Sequence, residues 1–182
     1  VIEVVSGLPF DEYLKIKLIE PLGMQDTDFW VPEDKQERFV SQYNAPDLLD
    51  PMKAGFNLDD AKLDRRTKRP TFLSGGGGLV ASVADYTTFI QMLIAGGTVS
   101  GRQYLKPQTL ALMRSNQLAD GVFVKLPGLK MPDTVFGFGF AINTSAAQPS
   151  FESSKGEYYW GGMAGTHSWV APGAGIAGLC FT

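Results

Sequence analysis

Apolar positions give the first half of the chain a helical rhythm. Phe10, Leu14 and Leu18 recur at every fourth position with Tyr13 alongside, while Asp11 and Glu12 come early and Lys15 and Lys17 late. This spacing predicts an amphipathic helix over 10–20, with charges that suit its dipole and Pro21 as its stop. Ahead of it, Val1-Ile2-Glu3-Val4-Val5 is apolar on a helix-like face and runs into Ser6-Gly7, as a helix exit does. Beyond Asp26 the rhythm weakens. Strand-like pieces at 27–31 and 38–43 flank a charged turn, and the polar, proline-broken stretch 45–69 reads as a long surface excursion.

Four successive glycines, Gly75 to Gly78, follow Ser74. A phosphate-binding loop would need a strand before them and Gly-Lys-Ser/Thr after them, and the sequence supplies neither. A structural reading explains more. Ser82 caps a helix with Asp85 three residues on, Val83, Tyr86, Phe89 or Ile90, and Leu93 form its buried stripe, and Gly96-Gly97 ends it. The four glycines then serve a tight turn and a close backbone approach. Pro107 opens a second short helix with Leu110 and Met113 on one face.

After Pro132 the period changes from helix to strand. Phe136-Gly137-Phe138-Gly139-Phe140-Ala141-Ile142 alternates bulky with small residues, which predicts a strand with one flat face that something approaches closely. Residues 157–160, 166–171 and 175–182 are three further strand candidates, the last two joined by Pro172-Gly173, a pair suited to a type II turn. Helices first and an antiparallel meander last give the class α+β, with helices packed on an antiparallel sheet.

Bulk properties narrow the function. With 16 basic and 19 acidic residues the net charge is −3, and basic residues form no run beyond Arg65-Arg66 with Lys68 and Arg69 close behind, so no nucleic-acid partner is expected. No apolar stretch approaches the roughly 18 residues of a membrane helix, so no membrane segment is expected. Cys180 is the single cysteine and sits in an apolar run that reads as core; with His167 the single histidine, a site built on several His and Cys ligands is excluded. No cofactor and no metal are expected, and Asp59-Asp60 reads as a solvated turn. Val1 is not an initiator Met, and the closing strand Ile176 to Thr182 has no polar tail. These ends lead us to expect a partial domain over residues 1–182, truncated at both ends, whose exposed edge at 176–182 could pair with a second copy.

Nucleophilic chemistry leaves two local signatures, and neither is present. The chain has no Gly-x-Ser-x-Gly elbow and no Ser three residues before a Lys; Ser153-Ser154-Lys155 has the wrong offset. His167 without such a partner reads as a strand imidazole bonded to a neighbour.

Five landmarks occur in order: Glu20-Pro21-Leu22-Gly23-Met24-Gln25-Asp26-Thr27-Asp28-Phe29; Ser74 to Leu79 leading into Ser82-Val83-Ala84-Asp85-Tyr86; Leu105-Lys106-Pro107 to Met113; Phe136-Gly137-Phe138-Gly139-Phe140; and Trp160-Gly161-Gly162. Together they resemble the serine beta-lactamase-like superfamily, in its class C and family VIII esterase branch. The resemblance spans nearly the whole chain. It implies the C-terminal portion of a beta-lactamase/transpeptidase-like fold, with the family's Ser-x-x-Lys and its tyrosine upstream of Val1. Tyr43-Asn44 follows the first helical landmark and does not substitute for the tyrosine motif.

The resemblance also implies a site. Trp160-Gly161-Gly162 occupies the positions of the family's Lys-Thr-Gly strand motif, and the backbone N–H of Met163 completes an oxyanion hole with the nucleophile's own N–H. Glycines at 161 and 162 let a substrate lie along the strand. A lysine at the first position would attract a carboxylate; Trp160 offers a flat apolar face and one indole donor, which shifts the expected substrate toward an uncharged ester and leaves beta-lactams a side activity. The other readings are a beta-lactamase or D,D-peptidase of the same fold, a non-catalytic binding homologue, and a structural role in which turn geometry alone explains the glycines. Lys106 stands where a small capping residue is common in the family, which implies a weaker cap before Pro107.

Overall fold

The computed structural model describes residues 1–44, 57–58, 66–125, 131, 133–144, 156–162 and 164–181. Two compact units divide the chain, Val1–Tyr86 and Thr87–Thr182. The Asp59-Asp60 turn and most of the 45–69 excursion lie outside the described residues, as does Met163.

In the first unit, helix α1 (Ile2–Ser6) ends at Gly7, whose φ of 72° is left-handed and whose N–H returns to the Glu3 carbonyl at 2.9 Å. Helix α2 (Phe10–Leu14) passes through one π turn (Lys15–Ile19) into α3 (Glu20–Leu22), and the run stops at Gly23, φ 71°. Pro21 is therefore inside the helical run and does not end it. A proline lacks the N–H that an α-helix directs one turn back and crowds the carbonyl there; the wider π turn before Pro21 accommodates both defects. Ile19, Leu22, Met24 and Phe29 are buried, with the Phe10 and Phe29 rings 5.6 Å apart.

Two carboxylates, Asp11 and Asp26, tie parts of this unit together through ion pairs. Asp11 is buried at 9% exposure and receives both Nε and Nη2 of Arg69, at 2.6 and 3.0 Å. The Arg69 guanidinium lowers the pKa of Asp11 against the opposing effect of burial. Asp26 takes Arg38 on both oxygens and Lys35 Nζ at 2.7 Å, and these cations, Arg38 first, bring its pKa down to about 2. Both cations ride on a 3-10 helix (Glu33–Arg38), so the expected charged turn is helical. The strand expected at 27–31 is a single bridge between Asp28 and Val80, and that at 38–43 shrinks to β1 (Tyr43–Asn44), paired with β2 (Asn57–Leu58).

The glycine-rich loop turns two of its carbonyls toward a cation. Its carbonyls, at Gly77 and Gly78, accept hydrogen bonds from the Arg66 guanidinium, so the loop presents acceptors to a cation. A Cβ on Gly78 would collide with the Ser74 carbonyl and approach the Phe29 ring to 2.7 Å, the close approach that the glycines permit. Ser82 Oγ accepts the Asp85 N–H at 3.2 Å and caps α4 (Val83–Ile94). Asp85 turns elsewhere: its carboxylate accepts the Asp26 N–H at 2.6 Å and the Thr27 hydroxyl at 2.9 Å.

In the second unit, the rest of α4 buries Ile90, Met92 and Leu93. Val83 is exposed, so the stripe drawn from it is displaced toward Met92; the first turn of a helix has neighbours on fewer sides than its middle. The helix exits through Gly96 and Gly97, both left-handed, into a hairpin of β3 (Thr98–Val99) and β4 (Arg102–Gln103). Helix α5 (Pro107–Met113) follows with Leu110 buried, and Lys106 supplies no side-chain cap.

Five antiparallel strands complete the unit in sequence order: β5 (Thr134–Phe136), β6 (Ala141–Asn143), β7 (Tyr158–Gly161), β8 (His167–Ala171) and β9 (Ile176–Cys180). Helix α5 lies against this sheet: the Met113 carbonyl accepts the Phe138 N–H at 3.0 Å and Arg114 stands over the Tyr158 ring. The class is α+β, helices on an antiparallel meander. The single strand expected over 136–142 is a hairpin instead, in which Gly137 N–H bonds Phe140 O at 2.8 Å and Gly139 takes φ 89°. The expected close approach holds at Gly137, where a Cβ would overlap the Met113 carbonyl.

The turn between β8 and β9 also departs from expectation. Ala174 N–H bonds Ala171 O at 3.1 Å, and the left-handed residue is Gly175, not Gly173, so the turn is not type II. Cys180 is exposed rather than core. It lies opposite His167 on the outer strand β9, on the pleat that alternates with half-buried Leu179 and Phe181.

Candidate active site

Strand β7 carries the expected site, and its neighbours determine what it can offer. On one side it pairs with β8, from Tyr158↔Val170 to Gly161↔His167. On the other it pairs with β6 only as far as Ala141↔Tyr159, because β6 there turns away into the 137–140 hairpin. Among the described residues, the β6 side of β7 has no ladder beyond Tyr159.

Peptide direction can be read from two hydrogen bonds. Gly162 N–H donates to Thr166 O at 2.8 Å, toward β8, and Asn143 N–H donates to Glu157 O at 2.9 Å, toward β6. Strand alternation then points residues 157, 159 and 161 toward β6 and residues 160 and 162 toward β8. The Gly161 peptide thus faces the open side, whereas the Gly162 N–H is committed to the turn. Gly162 has a second, steric reason to lack a side chain: its Cβ would lie 2.6 Å from Thr166 Oγ1. A Cβ on Gly161 would meet His167 Nδ1 and Thr166 O at 3.2 Å.

Trp160 stands beside this open peptide, 36% exposed, with its ring 4.9 Å from Phe136 in an edge-on geometry of 82°. Two residues earlier on the same face, Tyr158 is 1% exposed and anchors the strand. Its ring meets Phe140 edge-on at 5.0 Å and carries the Arg114 guanidinium 5.6 Å from its centroid. Burial raises the pKa of the Tyr158 phenol, and Arg114 opposes the rise in part. Arg114 sits over the ring face, and Tyr158 Oη has no hydrogen-bond partner among the described residues.

His167 is exposed on β8 beside the Tyr159 ring at 5.8 Å. Trp160, Gly161 and Gly162 are therefore together on one strand end, His167 is their cross-strand neighbour, and Met163 lies outside the described residues. The sequence reading treats Phe136 as part of a fold landmark and gives it no place here. Its alternation with glycine was the available signal, but the hairpin that brings it to Trp160 is a tertiary feature. Among the described residues, no group of three His, Cys, Asp or Glu side chains could hold a metal ion, and no helix is long and apolar enough to cross a membrane.

The fold agrees with known proteins. Protein Rv1367c of Mycobacterium tuberculosis (strain ATCC 25618 / H37Rv) is 32% identical over 170 residues, covering 93% of this chain and 39% of the relative, so the chain spans well under half of that protein's length. Among solved structures, EstCE1, described as a hydrolase with promiscuous acyltransferase activity, superposes with a TM-score of 0.76 at 21% identity, over 97% of this chain and 46% of its own. Simvastatin synthase (LovD) from Aspergillus terreus gives 0.76 at 23% identity, over 99% and 46%. At such identities these structures speak for the fold. The beta-lactamase family model matches residues 1–182, end to end, and on that match the chain belongs to the beta-lactamase family.

Proposed function

We propose that the whole protein of which these residues form part is a serine hydrolase that cleaves carboxylic esters through an acyl-enzyme, with beta-lactam hydrolysis a side activity. The observation that carries the reading is Trp160, an exposed aromatic at the position of the family's strand lysine, beside the open Gly161 peptide. An apolar ring and an unpaired strand edge suit an extended, uncharged acyl chain. No cation stands at that position to hold a substrate carboxylate.

In this proposal, residues 1–182 form part of a beta-lactamase-like domain and line its pocket, and the nucleophile with its base lies elsewhere in the protein, since no Ser-x-x-Lys occurs in residues 1–182. The nucleophile's hydroxyl attacks the ester carbonyl and surrenders its proton to the base. The alcohol leaves with that proton, and water then releases the acid. The backbone N–H of Met163 and that of the nucleophile hold the oxyanion, each donor contributing roughly 2–4 kcal/mol to the barrier reduction. What EstCE1 is described as doing, hydrolysis and acyl transfer, is the same acyl chemistry and supports this reading.

The test is turnover by the full-length protein of 4-nitrophenyl butyrate against a chromogenic cephalosporin. Ester turnover should dominate; a faster cephalosporin rate would return the protein to the beta-lactamase reading, and no turnover of either, with Ser-x-x-Lys missing from the full sequence, to a binding role. The 182-residue chain itself should take no label from a fluorophosphonate, and stoichiometric labelling would overturn the placement of the nucleophile outside it.

A further inference from the structure

The hairpin at 137–140 does two things at once. β6 leaves the ladder after Ala141, so among the described residues the Gly161 peptide has no ladder partner on that side, and the end of β5 reaches β7 there. Phe136 is the last residue of β5. Its ring crosses that gap and meets Trp160 edge-on, although β6 separates the two strands everywhere else in the sheet.

The contact is held firmly on one side only. The Phe136 backbone is fixed by pairing with Ala141 and by its carbonyl, which accepts the Gln117 N–H at 2.8 Å. The Trp160 indole is exposed over about a third of its surface and is the member that needs lateral support. Edge-to-face contacts orient rings because the positive rim of one is drawn to the negative face of the other. The residues meeting at this corner, Phe136, Trp160 and Gly161, carry no charge.

We propose that Phe136 is a positioning residue for Trp160, and that the two rings form one apolar corner that selects flat, uncharged aryl groups on the ester placed against Gly161. The choice of ester as ligand rests on the function proposed above; the positioning of Trp160 by Phe136 does not. Phe136 touches the indole and not the reacting atoms.

The two parts are read separately in the full-length protein. There the indole N–H signal of Trp160 in a proton–nitrogen correlation spectrum is identified by its loss in Trp160→Phe. Phe136→Ala should shift that signal and increase acrylamide quenching of Trp160 fluorescence, while Phe136→Tyr keeps both at the wild-type position. With phenyl butyrate as the probe, Phe136→Ala should weaken binding by up to about tenfold, and 4-carboxyphenyl butyrate should bind more weakly than phenyl butyrate to the wild type. If Phe136→Ala fails to fold, Phe136→Leu, which keeps apolar bulk but no aromatic edge, is read in the same way. An unmoved Trp160 signal in a folded variant overturns the positioning role. Equal binding of the two probes, or phenyl butyrate affinity indifferent to position 136, overturns the substrate class. Failure of ester turnover in the full-length protein with the Trp160 response intact would overturn the proposed function and leave the positioning role standing.

Discussion

Tyr158→Phe should stabilise the chain, and the reasoning can be followed atom by atom. Tyr158 is 1% exposed, and its Oη has no partner at hydrogen-bonding geometry among the described residues; the nearby Arg114 guanidinium offsets its burial only in part. A hydroxyl removed from water without compensation costs about 1–3 kcal/mol. Phenylalanine deletes that oxygen and keeps the edge-on contact with Phe140 at 5.0 Å and the Arg114 guanidinium over the ring at 5.6 Å. The void left by one oxygen forfeits a few dispersion contacts, so the net gain should be about 1 kcal/mol. For a chain of this size that raises Tm by roughly 2–4 °C.

The pH dependence makes the prediction sharper. Burial raises the phenol pKa above its ordinary value of 10.0, so in alkali the unfolded chain loses this proton first. Stability linked to Tyr158 is then fully present below pH 10.0 and is lost as pH climbs through the folded value. The other tyrosines titrate in both proteins, so the difference between wild type and Tyr158→Phe isolates this residue. Urea unfolding followed by circular dichroism at about pH 7 and about pH 10.5 should show the variant ahead at both and further ahead at the higher. A variant that is less stable at neutral pH, or a gap that does not widen in alkali, would show that Oη has a partner and refute the argument.

Other outcomes follow from the same contacts. Gly137→Ala should destabilise by about 2–3 kcal/mol, because its Cβ meets the Met113 backbone carbonyl, whereas Gly162→Ala meets the rotatable Thr166 side chain and should cost about 1 kcal/mol or less; urea midpoints compare them. Asp26, held at about 2 by Arg38 and Lys35, contributes stability that is present above pH 3.8 and lost as pH falls through about 2, and Asp26→Asn should remove that part of an acid titration followed by ellipticity. In the full-length protein, Trp160→Lys should lower kcat/KM for neutral aryl esters by roughly tenfold or more and raise it for esters bearing a carboxylate.

Legibility in the sequence divided along a physical line. Features set by local sequence were readable: the exits at Gly7 and at Gly96-Gly97, the Ser82 cap, Pro107 at a helix start, and the existence of β7, β8 and β9 as an antiparallel meander. Features set by a distant neighbour were not. Pro21 reads as a stop until the π turn beside it is seen; Phe136 to Ile142 reads as one strand because a glycine hairpin and a strand of alternating glycines share the same period. Cys180 reads as core because hydropathy does not say that β9 is an outer strand. That Trp160, Gly161 and Gly162 share one strand end was legible, but the opposite directions of the two glycine peptides were not, since they depend on where β6 stops.

That division bears on how specificity and stability are connected in β7. Alternate residues face opposite ways, so the register that buries Tyr158 beneath Phe140 also fixes the direction of Trp160 and turns the Gly161 peptide toward the gap left by β6. A slip of one residue would bury Tyr159, send the 160 peptide to the open side and reverse every one of these assignments. The Tyr158 hydroxyl, without a hydrogen-bond partner among the described residues, is consistent with this arrangement: a large ring at 158 is needed to pin the register, and the oxygen it carries adds nothing to that task. Position 158 should therefore accept Phe freely, while a small residue such as Ala, which removes the ring itself, should cost about 3–5 kcal/mol and loosen the Trp160 corner as well.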